Sequence, residues 1–162
     1  MTAHMAAPNS ALRAHQELLA YWAGLRARRG GLPGRRDIDP VCFKRHLPTV
    51  TLTEVRRDPA DYRLRLAGTG LYGVYGREIT GLSVDQVYAG PEAAYWRSEL
   101  HGVVESRRPA VGTRVLDWRD GGRLALLWLR LPLASDGETV DMILGYDSVL
   151  GLNEPPSGVR AA

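Results

Sequence analysis

The chain of 162 residues is poor in cysteine, in phenylalanine and in long apolar runs. Its single cysteine, Cys42, cannot form a disulfide within the chain, which indicates a reducing compartment and predicts a small buried apolar side chain. The most apolar stretch, residues 124–134, contains Arg130 and Pro132 and is too short to cross a bilayer. Because the N-terminus also lacks the pattern of a signal peptide, we predict one cytoplasmic domain.

Motifs for metal binding and for nucleophilic catalysis are missing as well. The four histidines, His4, His15, His46 and His101, are not paired at the spacing of a metal site. No nucleophile elbow and no set of serine, histidine and aspartate can be argued from the sequence. We therefore expect no metal and assign no catalytic residue.

The net charge is only +3, and its excess is concentrated in arginines between Arg26 and Arg36. A cluster of this kind can bind phosphate, a nucleotide or nucleic acid. The anion-binding candidates are Arg28, Arg29, Arg35 and Arg36. Arginines are equally typical of a solvated helix end, and no aromatic residues are interleaved to stack on bases. We favour the helix end, keep anion binding as an alternative, and do not expect nucleic acid as the partner.

A glycine-rich segment follows an alternating strand over residues 61–82. Residues 68–73 match the spacing G-x-G-x-x-G of dinucleotide sites. A strand that feeds such a site is usually apolar on both faces, but this one carries Arg63 and Arg65. Gly76 and Gly81 would also interrupt the long helix that should follow. We therefore interpret the segment as the wall of a crevice rather than a nucleotide site.

Periodicity and turn residues predict the remaining elements. We expect a disordered segment over residues 1–9, an N-terminal helix over 10–30, the main domain over 31–150 and a flexible tail over 151–162. Within the main domain, strands are predicted at 49–55, 62–67, 111–118, 123–133 and 140–146, and helices at 40–47, 83–88 and 90–108. Both faces of residues 124–131 are apolar, so both should be covered. Asp141 and Asp147 are expected to face solvent.

This order of elements is that of a PAS domain with an N-terminal helix. Several segments resemble a family of small stand-alone PAS-like proteins from proteobacteria: Tyr21-Trp22 with Leu25-Arg26, Leu32-Pro33, residues 36–40, Leu47-Pro48, residues 62–69 and residues 76–81. The resemblance spans Leu18 to about Leu144. It implies an α+β fold with a five-stranded antiparallel sheet in the order 2-1-5-4-3, short helices on one face, and the N-terminal helix on the other face or on a dimer partner.

A PAS-like fold implies a small pocket between the concave face of the sheet and the helices. Since pockets are mostly apolar, aromatic residues are the first candidates, with plain core packing as the alternative. The predicted ligand-binding residues are Tyr72, Tyr75, Trp96, His101, Trp128 and Met142. His101 lies on the helix that carries the haem ligand in haem-binding PAS domains, but beside its apolar stripe, so haem is not expected and the cofactor stays unassigned. Flavin photosensors of this fold need a cysteine in the short helices, where Cys42 does not lie.

The resemblance also implies a non-enzymatic sensory or regulatory protein that binds a small molecule or a partner protein. We predict a homodimer through the N-terminal helix, with Leu18, Leu19, Trp22 and Leu25 at its interface, and a partner signalling protein. A rival hypothesis is a small-pocket isomerase or hydratase in which Tyr72 or Tyr75 acts with Asp85. The predicted order of the strands argues against that enzyme fold.

Overall fold

A computed structural model of the chain describes residues 5–118 and 121–153. One antiparallel sheet runs in the order β2-β1-β5-β4-β3, which confirms the predicted fold class and strand order. Its strands are β1 Val50–Arg57, β2 Ala60–Ala67, β3 Ala110–Trp118, β4 Gly122–Leu133 and β5 Met142–Asn153. The α-helices are α1 Pro8–Arg29, α2 Leu71–Tyr75, α3 Val84–Val87 and α4 Gly90–Ser106, and 3-10 helices span Arg35–Asp37 and Pro40–Thr49.

The start of the chain is more ordered than predicted. Helix α1 begins at Pro8 because proline suits the first helical position, and it ends at Gly30, whose φ of 73° closes the helix in the left-handed conformation. Before it, Met5 forms a bridge with Val149, and the Ala6 amide donates to the Val149 carbonyl at 2.8 Å. The prediction of disorder over residues 1–9 is therefore wrong for residues 5–9, and residues 1–4 lie outside the described residues.

Helix α1 packs on the outer face of β4 and β5. Leu18 and Trp22 are only 1% and 3% exposed, and the Trp22 indole donates to the Pro132 carbonyl at 2.8 Å. These two predicted interface residues are thus buried in their own chain, so neither presents a surface to a second copy. Leu25 is half-buried, and Leu19, which is 39% exposed, stays on the surface. The apolar stripe needs no second chain to cover it, and the dimer stays a prediction.

Strand β5 is longer than predicted and occupies the centre of the sheet. It runs from Met142 to Asn153 and pairs with β4 along almost its whole length. The predicted tail over residues 151–162 is therefore wrong for residues 151–153, and the rest of it lies outside the described residues. Because β5 lies between β1 and β4, its inward-facing side chains occupy the middle of the inner face.

Side chains alternate between the two faces along β4 and β5. Arg130 and Asp147 face inward, toward α3 and α4, whereas Leu129 and Ser148 face α1. Both faces of the central strands are thus covered, as the apolar run of β4 predicts.

Among the residues that the structure describes, no helix combines the length and the apolar character needed to cross a bilayer.

Candidate functional site

A buried ion pair lies at the centre of the inner face. Arg130 Nη1 donates to Asp147 Oδ1 at 2.7 Å and to the Leu129 carbonyl at 2.9 Å, and the two charged residues are 5% and 3% exposed. Burial by itself would lower the pKa of Arg130, but the Asp147 carboxylate outweighs it and raises that pKa. The guanidinium therefore stays charged, and each partner needs the other, because an unpaired buried charge is strongly destabilising.

Gly145 of β5 makes room for this pair. It faces Thr51 on β1 and Arg130 on β4, one on each side. A Cβ atom at position 145 would lie 2.2 Å from Thr51 Oγ1 and 3.2 Å from Arg130 Nη1. Only glycine at this position leaves room for the Arg130 side chain to pass over β5.

Aromatic rings surround the guanidinium. Its carbon lies 4.9 Å from the centre of the Trp96 ring and 5.7 Å from that of Trp128. Trp96 stacks on Tyr88 at 5.5 Å, and the Trp128 indole donates to the Tyr95 hydroxyl at 3.1 Å. A cation in contact with desolvated aromatic faces gains about 2 kcal/mol, so the rings help to offset the cost of burying Arg130.

Two tyrosines join the short helices beside the ion pair. Tyr75 is the last residue of α2, Tyr88 follows α3, and their hydroxyl oxygens are 2.7 Å apart. Burial raises the pKa of both phenols. Both are therefore neutral at physiological pH, and the contact is an ordinary hydrogen bond between two hydroxyl groups.

The ion pair, the tyrosines and Trp96 enclose a chamber of about 30 Å³, which the hydroxyl groups of Thr51 and Thr53 also line. This volume has room for one or two water molecules, or for one small polar group. Trp96 is 1% exposed, yet its indole Nε1 has no hydrogen-bond partner among the described residues. An unsatisfied buried donor costs about 1–3 kcal/mol, so a hydrogen-bond acceptor that reaches Trp96 Nε1 would be stabilised there.

The chamber is connected to α1 by two consecutive residues of β5. Asp147 faces the chamber, and the next residue, Ser148, faces α1, where its Oγ lies 3.4 Å from His15 Nε2. His15 is 5% exposed, and burial lowers its pKa from 6.5 to about 4. A neutral histidine on α1 thus contacts the strand directly behind the ion pair.

The structure brings together some of the predicted ligand-binding residues. Tyr75 and Trp96 line the chamber, and Trp128 lies behind Arg130. Tyr72 does not belong to the group: it is 46% exposed, because α2 turns Leu71 and Val74 inward and therefore directs residue 72 outward.

The other two candidates, His101 and Met142, do not line the chamber. His101 is exposed on α4, because that helix turns Trp96, Leu100 and Val103 toward the sheet. It cannot reach the chamber as a haem ligand. Met142 begins β5 and lines an outer groove instead.

The sequence interpretation missed the ion pair itself. The sequence pattern predicts Asp147 at the solvent and Arg130 as an interruption of an apolar run, whereas the structure buries both residues. A signal was present, since Arg130 is the one charged residue within residues 124–134, a stretch with both faces apolar. A charge in such a strand must be buried, and it requires an acidic partner on a neighbouring strand.

The groups proposed for an isomerase or hydratase do not meet. Asp85 forms an exposed ion pair with Arg97, Tyr72 is exposed, and Tyr75 bonds to Tyr88.

Cys42 is exposed rather than buried, in the 3-10 helix before β1. The part of the chain that the structure describes contains no group of three residues able to hold a metal ion.

The arginine cluster opens onto an outer groove of mixed charge. Arg29 bonds to Asp37 and donates to the Ser135 carbonyl at 2.7 Å, so its charge is already engaged. The other three candidates, Arg28, Arg35 and Arg36, are exposed. Glu54 and Asp141 line the same groove as Arg35 and Arg36, which weakens its attraction for an anion. Anion binding here stays a prediction.

Solved structures that share this fold include the following three. A LOV protein from Rhodobacter sphaeroides is 18% identical, with a TM-score of 0.52 over 75% of this chain and 71% of that one. A variant of RsLOV is 19% identical, with a TM-score of 0.53 over 71% of this chain and 66% of that one. A light-oxygen-voltage domain studied with a flavin analogue is 14% identical, with a TM-score of 0.53 over 68% of this chain and 83% of that one. A comparison with curated proteins found no match.

A flavin does not fit the corresponding interior of this chain. Pockets for ligands of that size measure about 300–1,000 Å³, and the chamber measures about 30 Å³. Its space is filled by Trp96, the tyrosine pair and the ion pair. Cys42 lies outside it, exposed on the segment before β1.

The family is identified from the sequence. A family model described as PAS domain matches residues 11–147, which include most of α1, the five-stranded sheet as far as the middle of β5, and both members of the ion pair. The match covers most of the chain and agrees with the order of the strands. The chain belongs to the PAS domain family.

Proposed function

We propose that the chain is a cytoplasmic, non-enzymatic regulatory protein that senses a small molecule at the chamber and signals to other proteins through α1. PAS domains are typically sensory, and a sensor needs a path from its ligand to its surface. The observation that carries the proposal is the adjacency of Asp147 and Ser148, which contact the chamber and α1 from opposite faces of one strand.

The path is short because β5 is the central strand. A ligand that changes the hydrogen bonds of Arg130 or Asp147 acts directly on the backbone that positions Ser148. His15 is packed against this point, with its ring 5.0 Å from that of Tyr146. The docking of α1 therefore responds to the state of the ion pair.

The outward side of α1 is the surface that would carry the signal. Leu12 and Leu19 are 52% and 39% exposed, and they lie seven residues apart, which places them on the same side of the helix two turns from each other. We propose that this stripe joins two copies of the chain in a homodimer, in place of the buried Leu18 and Trp22. The partner signalling protein would then recognise the dimer.

Hydrogen exchange of the α1 amides tests the coupling. In Asp147→Asn the pair loses its negative charge, and we expect the α1 amides to accelerate about tenfold more than the β1 and β2 amides, whose acceleration reports the loss of global stability. The matched control is Asp85→Asn, which breaks the exposed ion pair with Arg97 and should leave α1 unchanged. Equal acceleration in every element of Asp147→Asn would mean that the pair only stabilises the fold, and would refute the proposal.

A further inference from the structure

The chamber has a second cavity next to it. An outer groove of about 380 Å³ lies between α2, α3 and β3, and Val74, Val87, Leu116 and Trp118 give it apolar walls. Tyr75 and Tyr88 line both the groove and the chamber. The two tyrosines, joined by a 2.7 Å hydrogen bond between their hydroxyl groups, are therefore a wall that the two cavities share.

We propose that the groove and the chamber form one ligand site with the tyrosine pair as its gate, and that the ligand is a neutral molecule with an apolar body and one small hydrogen-bond-accepting head, such as a carbonyl. This inference rests on the proposed function and adds to it the chemistry of the ligand and its route. The groove would hold the body, and the chamber would hold the head.

The chamber determines the chemistry of the head. The indole N–H of Trp96 has no hydrogen-bond partner within the described part of the chain, although the residue is only 1% exposed, so a head group that accepts a hydrogen bond would satisfy it. The charge of Arg130 is already balanced by Asp147 at 2.7 Å. An anionic head would compete with Asp147 for the guanidinium and leave that carboxylate unpaired in a buried site, which is costly. A neutral acceptor satisfies Trp96 without disturbing the pair.

The groove determines the chemistry of the body. Its volume lies within the range of about 300–1,000 Å³ that is typical of small-molecule sites. Trp118 forms one wall and is held in place by an indole hydrogen bond to the Val74 carbonyl at 3.1 Å. The acidic residues on the groove are Glu92, which bonds to Arg114 at 3.0 Å, and Asp117. The charge of Glu92 is balanced by Arg114, so among the described residues of the groove Asp117 is the carboxylate that disfavours a negatively charged body.

Opening the gate breaks one hydrogen bond. Both phenols are neutral, so the contact between them is a single uncharged hydrogen bond, which is weak compared with core packing. Tyr75 belongs to α2, a helix of only five residues that ends at Gly76 with a φ of 71°. A small displacement of this short helix would separate the two hydroxyl groups.

Three probes with bodies of the same size and different heads test the ligand class: acetophenone, benzoate and ethylbenzene. The readout is the ¹H–¹⁵N resonance of the Trp96 indole, assigned by its absence in Trp96→Phe. We expect acetophenone to shift this resonance with saturation, and benzoate and ethylbenzene to shift it at least tenfold less. An equal shift with ethylbenzene, or a stronger one with benzoate, would refute a neutral accepting head.

The gate is tested by association kinetics with acetophenone. Tyr75→Phe and Tyr88→Phe remove the hydroxyl contact and should each raise the association rate several-fold, whereas the exposed Tyr72→Phe should not change it. Unchanged rates in both gate variants would overturn the gate. If no probe shifts the Trp96 resonance while Asp147→Asn still loosens α1, the ligand class fails and the proposed function stands. If acetophenone binds and α1 does not respond to Asp147→Asn, the proposed function fails and the site stands.

Discussion

On the outer face of the sheet α1 is held by apolar side chains, whereas on the inner face the short helices cover a charged pair. Leu18 and Trp22 seal the outer face with only one hydrogen bond between Trp22 and the sheet. The inner face contains Arg130, Asp147 and the unpartnered indole of Trp96. Apolar packing tolerates small rearrangements, but a buried charge does not tolerate the loss of its partner. The inner face is therefore the part of the molecule where a small chemical change has a large structural effect.

The largest loss of stability should come from breaking the ion pair between Arg130 and Asp147. Arg130→Met leaves Asp147 charged and buried, so we expect a loss of about 3–5 kcal/mol in the free energy of unfolding measured in urea. The double variant Arg130→Met/Asp147→Leu removes both charges and should recover most of that loss. Arg97→Met, which breaks an exposed pair, should cost less than about 1 kcal/mol. A single variant as stable as the wild type would mean that Asp147 does not need Arg130.

On the outer face, Leu18 should show the response of an apolar core residue. Leu18→Ala deletes a side chain that is 1% exposed, and we expect a loss of about 2–5 kcal/mol in the free energy of unfolding. Leu19→Ala, at the neighbouring exposed position, should change stability by about 0.5 kcal/mol or less. If Leu19→Ala costs as much as Leu18→Ala, then Leu19 is covered in solution, and the measurement should be repeated across protein concentrations to detect a dimer.

Sequence patterns predicted the elements, and the resemblance to PAS-like proteins implied the order of the strands in the sheet, better than either predicted the site. The alternation of the strands, the turn glycines and the apolar stripe of the N-terminal helix were enough for the order of the elements and for the covering of both faces. These signals are local, since each depends on residues within one element or one turn. The main error in the strands was the length of β5, which continues because β4 offers it a partner as far as Arg123.

The site depends on contacts that no local pattern contains. Arg130 and Asp147 are 17 residues apart and meet only because β4 and β5 are neighbours in register. Tyr72 and Tyr75 are equally aromatic, and only the direction of the α2 turn exposes one and buries the other. Knowing that both faces of β4 were apolar would have allowed Arg130 to be identified as buried, but the identity of its partner required the strand register.

A moderate loss of stability should come from substitution of Gly145, where the inner face is tightly packed. Gly145→Ala places a methyl group 2.2 Å from Thr51 Oγ1, so we expect a loss of about 1–3 kcal/mol in the free energy of unfolding. Thr51→Ala should relieve the clash and recover part of this loss in the double variant. Gly102→Ala is the matched control, because a Cβ atom there meets nothing within 4 Å, and alanine should stabilise the exposed position on α4 by about 0.5–1 kcal/mol.

The smallest change in stability at neutral pH should come from His15. This residue connects the two faces of the sheet. Burial lowers its pKa from 6.5 to about 4, with Asp147 acting in the opposite direction, and Arg130 and His46 lowering it further. Between these two pH values the unfolded chain binds a proton that the folded chain does not. Stability from this group is therefore fully present above pH 6.5 and is lost as the pH falls toward 4, with a slope of at most about 1.4 kcal/mol per pH unit.

Urea unfolding of the wild type and of His15→Gln between pH 4 and 7.5 measures this slope, with the exposed His101→Gln as the control. We expect the difference between wild type and His15→Gln to shrink as the pH falls, and His101→Gln to follow the wild type. In Asp147→Asn the carboxylate that favours protonated His15 is gone, so His15 should stay neutral to a still lower pH. A folded-state pKa of His15, followed by NMR down to pH 3, that is the same with and without the Asp147 charge would show that the chamber and α1 are electrostatically independent, which leaves backbone packing at Ser148 as the remaining link between the two faces.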